Sequence, residues 1–180
     1  MVEPYELRGL AYHPYDPELP AVFSRAHNLL MASRPVPWQA VEHIGSTAVP
    51  NLDGKNILNI LVAAEPGRLS EAVAALERLG FTEHPYKNEP PERPLRVAGL
   101  RHQNRLYDLH LHLTEAGSPD HQNALFFRDY LRAHPEAREE YAAIKRNAVR
   151  SGLDGLAYNK AKEPFIRKTL STSGRAGSAG

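Results

Sequence analysis

The chain contains no cysteine, and that absence excludes disulfides, thiolate zinc sites, iron–sulfur clusters and thiol catalysis. It also lacks a surplus of either charge. Twenty-two Lys and Arg against 21 Asp and Glu leave a formal net charge of +1. That balance excludes a nucleic-acid or membrane binder driven by overall charge, although a local basic groove is still allowed. Long hydrophobic runs are missing, so nothing reads as a bilayer-spanning helix. Residues 1–10 carry acids and no apolar signal core, which makes the cytoplasm the expected location. No internal repeat, phosphate-binding P-loop, dinucleotide fingerprint, zincin helix or nucleophile elbow occurs.

What is present suits one folded domain. The 180 residues are 42% hydrophobic and 8% aromatic, enough for a real core. The expected domain is 1–170. Residues 171–180, STSGRAGSAG, are small and polar, bury no apolar area and read as a disordered tail. Fifteen prolines punctuate the loops. Four of them fall in 84–94, where neither a helix nor a central strand survives, so this segment reads as a surface loop and a flap over a site.

The periodic segments lie between these breaks. Asp16-Pro17 is a helix cap with proline at the first position, and Leu19, Val22, Phe23, Ala26, Leu29 and Leu30 recur at helical spacing, predicting a helix over 17–33. Residues 38–44 and 57–62 read as strands. A helix over 68–79 stops at Gly80, and a strand near Phe81 follows. Residues 95–101 and 105–113 form a predicted hairpin. The last third is helical: from Ser118-Pro119 to about 134, from Pro135 to Gly152, and from about 157 to 170, with Pro164 as a kink or a true first turn. Strands come mostly first and helices last. The expected class is α+β: a mixed sheet of about five strands backed by helices, with a C-terminal helical lobe.

Four places could carry chemistry. Gly45-Ser46-Thr47 ends a strand, and its backbone N–H groups and hydroxyls could cradle a phosphate; an ordinary strand-ending turn looks the same. Asn59 is the one polar residue of an apolar strand, so it must find a partner or face a cleft, and Lys55 just before it is a mobile charge suited to phosphate. In the strand from Leu106 to Leu113, alternation puts Asp108, His110 and His112 on one face, as metal ligands, phosphate contacts or the wet face of an antiparallel strand. On the C-terminal helices, Arg128 and Arg132, Tyr141 and Lys145, and Tyr158 and Lys162 are each four residues apart and share a face. They point at a site or simply decorate the helix surface.

The run from Glu42 to Pro50, EHIGSTAVP, with Leu52, Lys55 and the strand to Val62, resembles the GrpB family. So do Phe127-Arg128-Asp129-Tyr130-Leu131-Arg132, Pro135, Tyr141, Lys145, Tyr158, Lys162 and Phe165-Ile166. The resemblance covers about residues 12–170. It implies a nucleotidyltransferase-superfamily fold, in a family some of whose members are fused to dephospho-CoA kinase.

By that resemblance, Gly45-Ser46 corresponds to the turn that holds the triphosphate. Asn59 falls at the first acid position, Leu61 at the second, and Asp108, His110 or His112 at the third, on the neighbouring strand. Mg²⁺ is the implied cofactor. The implied ligand is a phosphorylated small molecule of nucleotide type, held by Gly45, Ser46, Thr47 and Lys55 and closed over by Arg128, Lys145 and Lys162. Asn59 stands where the family carries aspartate. A neutral amide adds no charge for a hard cation, so the expectation is ligand binding, with Mg²⁺-dependent nucleotidyl transfer second and an interaction module with a vestigial cleft third.

Overall fold

The computed structural model describes residues 1–6, 11–32, 35–87, 89–153 and 155–174. A helix, α1 (Leu19–Ala32), precedes strands β1 (Trp38–Ile44) and β2 (Leu58–Ala64), which are joined through a short 3₁₀ turn at Ser46–Ala48. Helix α2 (Leu69–Arg78), the short β3 (Thr82–Glu83) and the hairpin β4 (Leu95–His102) and β5 (Arg105–Glu115) follow. Helices α3 (Pro119–Ala133), α4 (Pro135–Arg150) and α5 (Gly155–Ser171) complete the chain.

The five strands form one mixed sheet in the order β1-β2-β5-β4-β3. Only β2 and β5 run parallel; the other neighbours are antiparallel. The class is α+β, as the run of strands before helices predicts. Alternation along the strands separates two faces. Leu58, Ile60, Val62 and Ala64 of β2 and Tyr107, Leu109, Leu111 and Leu113 of β5 pack against Leu19, Val22, Ala26 and Leu30 of α1 and Ala72 and Leu76 of α2. That is the main core. The opposite face carries Asn59, Asp108, His110 and His112.

A second, smaller core holds the helical lobe to the β1–β2 connection. Val49 and Leu52 from that loop pack with Leu131, Tyr141, Ala142 and Phe165 of the three C-terminal helices. The tight segment between β1 and β2 is therefore also the seat of the lobe.

The Ser118 cap acts as the sequence suggests, whereas α1 starts at Leu19, so Asp16 stands three residues ahead of it and Pro17 is not in its first turn. Asp16 Oδ1 accepts the Glu18 backbone N–H at 3.0 Å ahead of α1, and its other oxygen holds Arg105 at 2.7 Å and the Tyr107 hydroxyl at 3.1 Å, tying α1 to β5. The Ser118 side chain accepts the His121 N–H at 3.2 Å, with Pro119 at the first turn of α3. Boundaries in the C-terminal lobe differ from the expectation as well. Helix α5 starts at Gly155, so exposed Pro164 lies inside it rather than in its first turn. Of the expected tail, Ser171 is still helical, and 175–180 lie outside the described residues. No helix among the described residues is long and apolar enough to cross a membrane.

The first residues wrap the sheet rather than leaving it. Glu3 exchanges two 2.8 Å backbone hydrogen bonds with Gly99 on the edge of β4, and His13 does the same with Gly54 at 2.7 and 3.0 Å. Gly99 is required there, because a Cβ would lie 3.2 Å from the Pro4 carbonyl oxygen and 2.9 Å from Leu106 Cδ1.

Candidate functional site

Parallel neighbours project to the same side, so the β2–β5 register sets Asn59 beside His110 and Leu61 beside His112. A cavity of about 850 Å³ opens beside this face. Its walls come from the N-terminal arm (Tyr5, Ala11, His13), the loop after β3 (His84, Tyr86, Lys87), the start of α5 (Leu156, Asn159), and Lys55, Asp108 and His110.

Lys55, Lys87 and Arg105 line this cavity together with the acids Glu89 and Asp108, and two more lysines lie close to Lys55 or its loop. The Lys55 ammonium sits 3.8 Å from the centre of the Tyr158 ring, and Lys162 contacts the same ring at 4.5 Å. Lys145, only 1% exposed, lies 5.0 Å from the Tyr141 ring and 5.9 Å from Tyr12, and donates to the Asp53 carbonyl oxygen. The two Tyr–Lys pairs read at four-residue spacing thus do meet, each lysine lying over its own tyrosine. Burial, reinforced by Lys87, lowers Lys55 to about 8. Burial, with Lys55 and Lys87 adding repulsion, lowers Lys162 to about 8. Lys145 falls to about 7, through burial and then Lys162. Ring faces supply part of what carboxylates would otherwise give.

Asn59, His110 and His112 are hydrogen-bonded within the protein. Asn59 Nδ2 donates to the Ile57 carbonyl at 3.0 Å, and its Oδ1 accepts from His112 Nε2 at 3.1 Å, which puts the proton of that imidazole on Nε2. His110 Nε2 shares a 3.2 Å hydrogen bond with the Tyr5 hydroxyl, and Tyr5, His84 and His110 form a cluster of rings with centroids 5.4–5.6 Å apart. Burial, and after it Lys87, lowers His112 to about 4, and the same causes carry His110 further down.

This donor set does not fit Mg²⁺. Hard cations take oxygen ligands, chiefly carboxylates. Of Asn59, Asp108, His110 and His112, one is a carboxylate and two are imidazoles kept neutral by burial and by neighbouring lysines. A neutral imidazole can ligate a softer metal, but it adds no negative charge for a hard cation. Among the described residues no three acidic or imidazole side chains are grouped to hold an ion.

The Gly45-Ser46-Thr47 turn serves two sides. Gly45, at φ 70°, lies against Asn59: a Cβ there would stand 3.3 Å from the Asn59 side chain, so this glycine permits strand-to-strand approach. Ser46 Oγ and Lys145 Nζ both flank Gly54, at 3.2 and 3.5 Å from where its Cβ would be. Thr47 turns the other way. Its hydroxyl bonds His43 Nε2 at 3.1 Å, and His43 stacks on Phe23 at 4.9 Å.

Arg128 is on that second side too. It is paired with Glu42 at 2.9 Å and Asp129 at 2.7 Å and donates to the His43 carbonyl at 3.2 Å. With Arg132 and Thr47 it lines a separate, smaller cavity of about 400 Å³. The expected closure of one cleft by Arg128, Lys145 and Lys162 is therefore split. Lys162 shares the Tyr158 ring with Lys55 behind the large cavity, Lys145 is buried against the Asp53 carbonyl, and Arg128 lies on the other side, because α3 presents this residue to β1.

Residues 10–172 match the family described as GrpB protein. The chain belongs to the GrpB family. A UPF0157 protein of Pseudomonas aeruginosa is 34% identical over 159 residues, covering 87% of this chain and 64% of that one. A dephospho-CoA kinase of Mycobacterium tuberculosis is 31% identical over 176 residues, covering 85% of this chain and 43% of the kinase. The chain thus spans less than two thirds of the length of these curated relatives. The crystal structure of the conserved protein GrpB from Enterococcus faecalis superposes with a TM-score of 0.71 at 25% identity, over 91% of this chain and 96% of the other.

Three groups at the GrpB cavity were not legible as site residues. His84 and Lys87 sit in the proline-rich loop, whose only signal was that it might cover something. Tyr5 lies outside the family resemblance and reaches His110 through the Glu3–Gly99 bridge, a contact no local spacing encodes.

The buried bases give this GrpB chain a defined pH response. Burial, then Arg132 and Arg128, lowers His43 to about 4, so His43, His110 and His112 stay neutral where the unfolded chain's imidazoles take protons. Stability should fall as pH drops from about 6.5 towards 4. Lys55, Lys145 and Lys162 lose protons at about 7–8 in the fold and at about 10.5 unfolded. Between those values the unfolded chain binds more protons, so stability should keep rising from pH 7 to 9. Urea midpoints at pH 5, 7 and 9 in phosphate-free buffer should increase in that order; a midpoint that falls from 7 to 9 contradicts the lysine assignments.

Proposed function

We propose that the large cavity binds a phosphorylated small molecule of nucleotide type, without metal-dependent transfer. The observation that carries this reading is the convergence of Lys55 and Lys162 on the Tyr158 ring, at 3.8 and 4.5 Å, beside a cavity wall that also carries Lys87 and Arg105; burial lowers Lys55, Lys162 and Lys87, and only Lys87 has an acid, Glu89, acting against that. A folded protein that holds partly desolvated ammonium groups together against their repulsion has a standing deficit of negative charge. A phosphate fills it, with three strong acceptors and up to two charges. Ser46 and Lys145 lie deeper and position the loop that carries Lys55; Thr47 and Arg128 serve the other side.

Segments similar to this one occur within proteins named dephospho-CoA kinase, which is consistent with handling phosphorylated small molecules. Transfer through Mg²⁺ draws no support from a strand pair offering one carboxylate in a cationic field. Thermal-shift and calorimetric titration with phosphate, pyrophosphate and nucleoside mono- and diphosphates, with and without Mg²⁺ or Mn²⁺, tests the reading. A ligand at a hundred times its Kd should stabilise the protein by about 2.7 kcal/mol. The expected result is stabilisation by phosphate esters that does not depend on the metal. No stabilisation by any of these anions overturns the proposal, and stabilisation only with metal restores the transferase reading.

A further inference from the structure

Among the described residues three large hydrophobic side chains are exposed: Met1, Tyr86 at 77% and Leu156 at 69%. Met1 begins the chain. The other two line the same cavity, the one lined by Lys55 and Lys87, and they come from different elements: Tyr86 from the proline-rich loop and Leu156 from the first turn of α5. Single exposed apolar residues scattered over a surface need no explanation. Two that line one cavity together with Lys55, Lys87 and Arg105, beside Glu89 and Asp108, form an amphipathic site that joins apolar surface to positive charge.

We infer that Tyr86 and Leu156 form a clamp for a flat, heteroaromatic ring, so that the preferred ligand is a nucleoside phosphate rather than a sugar phosphate or an inorganic anion. This rests on the phosphate reading of Lys55 and Lys162 and adds the other half of the ligand. The dimensions agree: about 850 Å³ lies within the range of roughly 300–1,000 Å³ that holds a whole organic ligand, far more than one phosphate needs. The chemistry agrees as well. A tyrosine face stacks on any nucleobase without reading its edge, and Leu156 covers the opposite side of a ring at little conformational cost. The Asn159 amide, three residues on from Leu156 and also on the cavity wall, offers a donor and an acceptor to a base edge or a ribose.

The backbone supports Tyr86 in this place. Its N–H donates to His84 Nδ1 at 3.1 Å, and His84 is packed on Tyr5 and His110. The loop is thus anchored to the sheet face just before the clamp residue, and His84 Nε2 carries the ring's proton.

The test compares ligands that share a phosphate and differ in the ring. Calorimetry on the full chain should show AMP and UMP each binding at least ten-fold more tightly than ribose 5-phosphate. Tyr86→Ala should bring both nucleotides down to the level of ribose 5-phosphate and leave ribose 5-phosphate unchanged; Leu156→Ala should act in the same direction more weakly. Both side chains are exposed, so neither variant threatens the fold, and unchanged melting temperatures check this. Lys55→Met should weaken all three ligands alike. Equal affinities of the three ligands in the wild type, or nucleotide affinity indifferent to Tyr86→Ala, overturns the clamp while leaving the phosphate site intact. Absence of binding by all three overturns both.

Discussion

Replacing Lys55 and Lys162 together by methionine should abolish phosphate-ester binding, with an affinity loss of more than a hundred-fold, and should leave the protein at least as stable at pH 7. Both ammonium groups contact the Tyr158 ring, so an anion seated there meets two donors at once. A hydrogen bond to a charged group is worth about 1.5–3 kcal/mol, and two removed together take roughly 3–6 kcal/mol from binding. Stability moves oppositely because each charge opposes folding in the free protein: burial and the neighbouring lysines lower both groups to about 8. Methionine keeps the stem's contacts with Tyr158 and removes the repulsion.

The same values set the pH dependence of binding in the wild type. The ligand needs the protonated lysines, so affinity should weaken as pH rises beyond about 8. Calorimetry at pH 7, 8 and 9, with urea melts of the double variant, checks both parts. Undiminished affinity in the double variant removes these lysines from the site; a large loss of stability shows that their charges are compensated by groups other than a ligand.

The legible part of this site was the part encoded within one element. Four-residue spacing is a property of a single helix, so Tyr141 with Lys145 and Tyr158 with Lys162 could be paired before any tertiary structure was known, and each pair does meet. Strand alternation likewise separated Asp108, His110 and His112 from the leucines between them. What failed to show was the way elements face one another. Arg128 and Arg132 do share a face, but which side of the lobe that face meets depends on how α3 lies across the sheet, and it meets β1 and the Thr47 side. The bond from His112 to Asn59 joins positions 53 apart through a parallel pairing whose crossover holds a helix and two other strands. Contacts of that kind are settled by packing of the whole domain, which no window of sequence contains.

Asn59→Asp, which restores the carboxylate expected from the family resemblance, should destabilise the protein at pH 8 by about 1–3 kcal/mol and confer no binding of Mn²⁺ or Mg²⁺. The amide uses both ends: Nδ2 donates to the Ile57 carbonyl and Oδ1 accepts from His112. Aspartate has the same shape, so the close approach of Gly45 is undisturbed, but a carboxylate oxygen would then face the Ile57 carbonyl with no proton between them. Losing one partner of a half-buried hydrogen bond carries the penalty quoted. At roughly 2–4 °C per kcal/mol for a chain of this size, the melting temperature should fall measurably. The new charge also changes His112. In the wild type its imidazole is lowered to about 4. An adjacent carboxylate favours the imidazolium and should raise it above the unfolded value of about 6.5. A histidine raised in the fold contributes stability that is present below the unfolded value and lost as pH climbs through the folded one. The variant should therefore recover part of its deficit between pH 8 and 6, whereas the wild type loses stability over that interval. The His112 ring resonances followed by NMR against pH, and melting temperatures with and without millimolar Mn²⁺, decide the matter. A rise of several degrees with Mn²⁺ in the variant would show that the strand pair needs only one carboxylate to hold a metal, and the reading of this cleft as an anion site would yield to an impaired metal centre.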